Sequence, residues 1–232
     1  MSACIGVFRA HGPGLATAAA LERLGYAVAL APVVEPVALA GAPPERSFAL
    51  VVGASAAAFT FAGPWLARLA QTPLALVGEA TLRAARSAGL SGHAQTFADA
   101  EAFSQGAGTF PLGEALYLAG RDRKSTIESV FAASQRAFVL VETYEARARP
   151  RWSAAEIAGL RACRLFVHYS RRSASLAIAL ADANDLLGVF AAADHICLSE
   201  DVAAPLRAQG WRAIRIAATP DQRALEAALT QR

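Results

Sequence analysis

The chain has 232 residues, of which 55% are hydrophobic and only 18% charged, which excludes a disordered chain and leaves room for one large domain or two ordinary ones. Its formal charge of +3, from 22 basic against 19 acidic side chains, comes with no polybasic run and no basic ribbon interleaved with aromatics. That excludes a nucleic-acid partner and leaves a mild preference for anionic small molecules.

The predicted elements begin with a strand over 3–8, a turn carrying Arg9, Gly12 and Gly14, and a helix over 13–24 closed by Gly25 in a left-handed conformation. A strand over 26–31 follows. Pro32, Pro36, Pro43 and Pro44 then bar a helix or a central strand, which marks a first crossing between domains near 32–37. The uncharged stretch 48–67 has the length of a membrane span, but Gly53, Ser55, Gly63 and Pro64 divide it into strand, turn and helix. A strand over 74–77, a helix over 79–88 stopped by Gly89, a weak strand over 93–97 and a short helix from Asp99 continue the alternation. The chain enters its first strand with no basic leader or cleavage site, so a cytoplasmic protein is expected, with no membrane partner and acting as a monomer.

The stretch from Glu114 to Glu128 is the most informative. Ala115 to Ala119 is apolar on both faces, as in a parallel strand covered by helices. Gly120 breaks it, Arg121, Arg123 and Lys124 follow, and Ser125 with Glu128 three residues later reads as a capping box opening a helix. Cations above a helix N-terminus predict an anionic ligand. A triphosphate-binding loop is not expected, since that loop needs glycine immediately before its lysine and Arg123 stands there.

A strand over 137–144 ends at a second crossing near 142–151, charged and closed by Pro150. Ser153 with Glu156 reads as another capping box. Strands over 165–169, 195–198 and 213–216 follow, each leading to a helix, the last opened by Thr219 and Pro220 with Gln222 in the capping-box position. Two echoes link the halves: Val77-Gly78-Glu79 with a helix stopped at Gly89 parallels Leu198-Ser199-Glu200 with a helix stopped at Gly210. Val52-Gly53-Ala54-Ser55 likewise parallels Val167-His168-Tyr169-Ser170. They predict two similar α/β domains, the first discontinuous over 1–34 and 148–232, the second inserted over 38–143.

Cys4, Cys163 and Cys197 form no C-x-x-C pair and suit a reducing compartment, and His11, His93, His168 and His195 share no ligand spacing. No metal or cofactor is expected. The turns after strands collect hydroxyls and cations: Arg9, Ser55, Thr81, Arg121, Arg123, Lys124, Ser170, Arg171, Arg172 and Ser199, with Ala56, Gly78 and Gly120 in the same turns. Ser55 or Ser199 alone reads as an N-cap. As a set they predict a cleft that recognises several carboxylates or phosphates. No nucleophile–base pair is present, so the chemistry would rest on orientation and one proton donor. Tyr144, which ends a strand at the crossing, is the catalytic candidate, because a phenol keeps its proton at neutral pH and can give it to a departing hydroxyl.

In order and spacing the chain resembles the uroporphyrinogen-III synthase family. The resemblance rests on Arg9, Leu50-Val51-Val52-Gly53-Ala54-Ser55, Val77-Gly78-Glu79-Ala80-Thr81, Leu116-Tyr117-Leu118-Ala119-Gly120-Arg121, Glu142-Thr143-Tyr144-Glu145 and the turn at Ser170. It implies two doubly wound, flavodoxin-like domains joined by a two-strand connector, and a cofactor-free cyclising lyase. The implied substrate is hydroxymethylbilane, whose terminal hydroxyl is lost as water while ring D inverts through a spiro intermediate. Tyr144 matches the tyrosine proposed to assist hydroxyl loss, and backbone N–H groups would hold most carboxylates. Two turns depart from the family pattern. Ser199-Glu200-Asp201-Val202-Ala203 stands where many members have a Gly-Pro-Thr-Thr-Ala-like turn, and Gly53-Ala54-Ser55-Ala56-Ala57 lacks the usual asparagine. A second reading is a non-catalytic two-domain protein binding an anionic small molecule or tetrapyrrole.

Overall fold

Strands and helices alternate from the first residues. A computed structural model describes residues 3–230; the outermost residues of the range predicted as the first domain, 1–2 and 231–232, lie outside them. In chain order, β1 (Cys4–Val7), α1 (His11–Arg23) and β2 (Ala27–Leu30) lead to β3 (Val34–Ala38). Next come β4 (Leu50–Gly53), α2 (Ala56–Thr60), a 3-10 turn over Pro64–Leu69, β5 (Leu74–Val77), α3 (Glu79–Ser87), β6 (Ala94–Phe97) and α4 (Ala100–Gly106). They are followed by β7 (Ala115–Gly120), α5 (Thr126–Ala133), β8 (Phe138–Ala148), α6 (Ala154–Ala162), β9 (Leu165–His168) and α7 (Arg171–Ala183). The chain ends with α8 (Leu187–Ala191), β10 (Asp194–Cys197), α9 (Glu200–Ala208), β11 (Ile214–Ile216) and α10 (Gln222–Thr230).

The chain divides into two units, Met1–Glu35 with Ala148–Arg232, and Pro36–Arg147. The first holds a sheet ordered β11-β10-β9-β1-β2, every described pair parallel. The other sheet runs β3-β8-β7-β4-β5-β6. Apart from β3, and with the second order read from β6, the two correspond position by position, with β9 matching β4 and β1 matching β7. The echoes fall on equivalents: α3 follows β5 and α9 follows its counterpart β10, and each is stopped by a glycine at positive φ, Gly89 at 92° and Gly210 at 78°.

Strand β8 continues four residues beyond its predicted end at Tyr144, because β3 pairs with it. Arg149 N–H donates to Val33 O and Leu39 N–H to Thr143 O, an antiparallel sense. Pro36 is tolerated there because β3 is an edge strand.

All six residues of β7 are buried. Leu116 and Leu118 pack with Phe59, Leu66 and Leu69, while Ala115, Tyr117 and Ala119 pack with Phe103, Phe110 and Phe131. Apolar residues on both faces of the strand thus meet helices on both sides, each large side chain contributing about 1.5–3 kcal/mol by burial. In the first unit Phe8, Trp152, Phe166 and Phe190 form the corresponding cluster.

Two capping expectations are corrected. Ser125 makes no side-chain cap: Glu128 is drawn instead to Arg123, Oε1 to Nε 2.7 Å. At α10 it is Asp221 that accepts from the Ala224 N–H at 2.8 Å, while Gln222 bonds to Glu226. The Ser153–Glu156 box forms as read. Helix α1 starts at His11, two residues before the predicted start, with Pro13 in its first turn where its missing N–H has no intrahelical partner to lose.

Candidate functional site

In the six-stranded sheet the chain leaves β4 toward β5 and β6, whereas β7 leads to β8 on the other side. At such a reversal the connections diverge and a crevice opens over the carboxyl ends of the two adjacent strands. A cavity of about 340 Å³ lies there, its lining including Ser55, Tyr117, Gly120, Arg123, Lys124 and Tyr144.

Tyr144 is placed by a bulge. Ala119 pairs with Glu142 but Gly120 pairs with Tyr144, so Thr143 is the extra residue. Its side chain turns inward, fully buried, and donates to Ala58 O at 2.8 Å. The Tyr144 carbonyl accepts from Arg121 N–H at 2.9 Å. Its ring lies against Gly120, where a Cβ would come within 2.6 Å of the ring and displace it. Ser55 occupies the N-cap of α2 but caps nothing. Its Oγ lies 2.9 Å from the Tyr144 phenol oxygen instead.

The cations of the β7–α5 turn are mostly paired. Arg121 donates to Glu142 at 3.1 Å and Glu145 at 2.6 Å; Arg123 donates to Glu128 at 2.7 Å, Glu142 at 2.8 Å and Gly120 O at 3.1 Å. Hydrogen bonds from Arg123 and then Arg121 hold Glu142 below the ordinary carboxylate range, and Arg147 followed by Arg121 does the same for Glu145. Exposed pairs of this kind contribute little to stability, because water screens them. They tie the turn to β8 and leave Lys124 as the lining cation that has no carboxylate partner among the described residues.

The remaining predicted contacts are distributed as follows. Ala56 opens α2 beside Ser55. Gly78, at φ 86°, is the turn before α3, and Thr81 is buried at 3% exposure inside that helix; neither lines the cavity. The other five belong to the first unit. Arg9 lies over the Tyr169 ring at 4.3 Å and donates to Thr17 at 3.1 Å. Ser170 caps α7 by accepting from Ser173 N–H at 3.1 Å. Arg171 is paired with Asp201 at 3.1 Å, and Arg172 is exposed beside it. Ser199 is the N-cap of α9 with no capping bond of its own.

Sequence reasoning missed Tyr117 and the glutamates that bind the arginines. The alternation of β7 was the available signal for Tyr117, because it sets Tyr117 on the face opposite Leu116 and Leu118, within reach of the strand's carboxyl end. Burial, and next the charge of Glu128, push its phenol up to about 12.

A family model described as uroporphyrinogen-III synthase HemD matches residues 16–227. Among solved structures, the uroporphyrinogen-III synthetase of Helicobacter pylori 26695 is similar at TM-score 0.57 and 17% identity, covering 100% of both chains. A mutant uroporphyrinogen III synthase of the extremely thermophilic bacterium Thermus thermophilus aligns at TM-score 0.47 and 15% identity, over 98% of this chain and 96% of that one. At these identities the first shows the two-domain α/β fold. Among curated proteins none matches the chain.

Proposed function

The chain belongs to the uroporphyrinogen-III synthase family, and we propose that the crevice over β4 and β7 is where its reaction takes place. The enzyme is a cofactor-independent cyclising lyase of heme biosynthesis: hydroxymethylbilane loses its terminal hydroxyl as water and closes to uroporphyrinogen III with ring D inverted.

In the proposed step Tyr144 gives its phenolic proton to the departing hydroxyl. The carbon–oxygen bond breaks, its electron pair leaves with the oxygen as water, and the pyrrole electrons stabilise the cation left on the methylene carbon. Ser55 donates a hydrogen bond to the Tyr144 oxygen, whose negative charge grows as its proton departs; the 2.9 Å separation suits this. Ring closure through the spiro intermediate releases one proton from carbon, which restores the phenol. Lys124 and the N–H groups at the start of α5 receive carboxylates of the substrate.

The observation that carries this reading is the Ser55–Tyr144 pair in the lining of a switch-point cavity. We further propose a cytoplasmic monomer; among the described residues no helix is long and apolar enough to cross a membrane. The test is incubation with freshly made hydroxymethylbilane and separation of the product isomers. Type III product is expected, and the spontaneous type I isomer alone would refute the assignment.

A further inference from the structure

Tyr117 is only 3% exposed, yet it lines the cavity. A buried phenol ordinarily meets a hydrogen-bond partner, since leaving the hydroxyl unmet costs about 1–3 kcal/mol. Among the described residues the Tyr117 hydroxyl has no hydrogen-bond partner, and it is not one of the fully buried atoms left unmet, so it opens onto the cavity. Its ring is fixed among Phe103, Phe110 and Phe131, so the hydroxyl cannot swing elsewhere to find one. The same stretch of lining includes Thr126 and Ile127, the first two residues of α5. Because Ser125 makes no side-chain cap, the N–H groups of that first turn are available at the positive end of the helix. Lys124 adjoins them in the lining.

A phenolic O–H, the uncapped start of a helix and an ammonium therefore line one cavity. Donors of this kind with no protein acceptor suit a carboxylate. Resting on the reading of this crevice as the catalytic one, we infer that Tyr117 and the first turn of α5 form a subsite for one carboxylate arm of the tetrapyrrole. The hydroxyl meets one carboxylate oxygen and the α5 N–H groups meet the other. The Glu128 carboxylate nearby is paired through Oε1 with Arg123 at 2.7 Å, which offsets its charge. With its phenol pushed up to about 12, Tyr117 remains a donor at working pH and does not act as a base. It binds substrate, while Tyr144 does the proton transfer.

Tyr117→Phe keeps the ring and removes only the hydroxyl. Loss of a hydrogen bond to a charged group should raise the KM for hydroxymethylbilane roughly ten- to a hundredfold, with kcat little changed and the product still type III. Affinity for uroporphyrinogen III, measured directly, should weaken by a similar factor, a readout that reports on the subsite independently of turnover. An unchanged KM and product affinity would overturn the subsite, as would a loss confined to kcat. If the wild type gives only type I isomer, the crevice assignment falls and the subsite with it. If the wild type gives type III and the variant binds normally, the subsite alone falls.

Discussion

His168 and His195 face each other in the first sheet with Nε2 3.0 Å from Nδ1. The Phe190 carbonyl can only accept, so His195 donates to it from Nε2 at 2.9 Å, which leaves its Nδ1 to accept from His168. Both rings are then neutral, and His168 Nδ1 is left buried without a partner. Burial lowers His168 well below its ordinary range, the proximity of His195 adding to it, and burial lowers His195 as well. The unfolded chain therefore takes up protons below about pH 6.5 that the folded one refuses, and stability is lost as pH falls through that range. The expected slope is about 1.4 kcal/mol per pH unit for each histidine that stays neutral. Urea melts between pH 7 and pH 5 check this, and a flat profile would contradict the neutral pair. Nothing in the spacing of the two histidines announced their contact: it arises because β9 and β10 are adjacent in the sheet.

Helix caps show why local patterns are legible only in part. The Ser-x-x-Glu pattern occurs at Ser153 and at Ser125, yet the box forms only at the first. Both glutamates are claimed by an arginine. Arg149 approaches Glu156 with two nitrogens, one to each carboxylate oxygen, at 2.6 and 3.0 Å, and Oε2 also accepts from the Ser153 N–H at 2.7 Å. Arg123 instead draws Glu128 away from its helix start. Ser153→Ala should accordingly cost about 0.5–2 kcal/mol in denaturant melts, while Ser125→Ala should cost close to nothing. Equal losses would contradict the assignment. Element positions were legible because strands and helices differ in apolar period. The far end of β8 was not, since its last four residues are charged or small and become strand only through pairing with β3. The short helix α8 likewise carries no cap signal; Phe190 anchors it in the aromatic cluster.

At the scale of the molecule, the duplicated strand order explains both what the sequence disclosed and what it hid. Turns at equivalent places in the two sheets share residue types, so the echoes at Ser55 and Ser170 and at Glu79 and Glu200 could be read directly. Their side chains have diverged in use: Ser170 caps a helix, whereas Ser55 holds Tyr144. Such a difference depends on what arrives from a neighbouring strand, here β8, and no spacing within the turn records it. The pairing within the cation cluster was hidden for the same reason, since two of its glutamate partners, Glu142 and Glu145, lie on β8 some twenty residues away in sequence. The central claim is that the phenol of Tyr144, supported by Ser55, supplies the proton that releases water. Kinetics of Tyr144→Phe with hydroxymethylbilane test it most directly: the account predicts that kcat falls roughly 100-fold or more while KM stays near the wild-type value. A variant that makes uroporphyrinogen III at the wild-type kcat would contradict it.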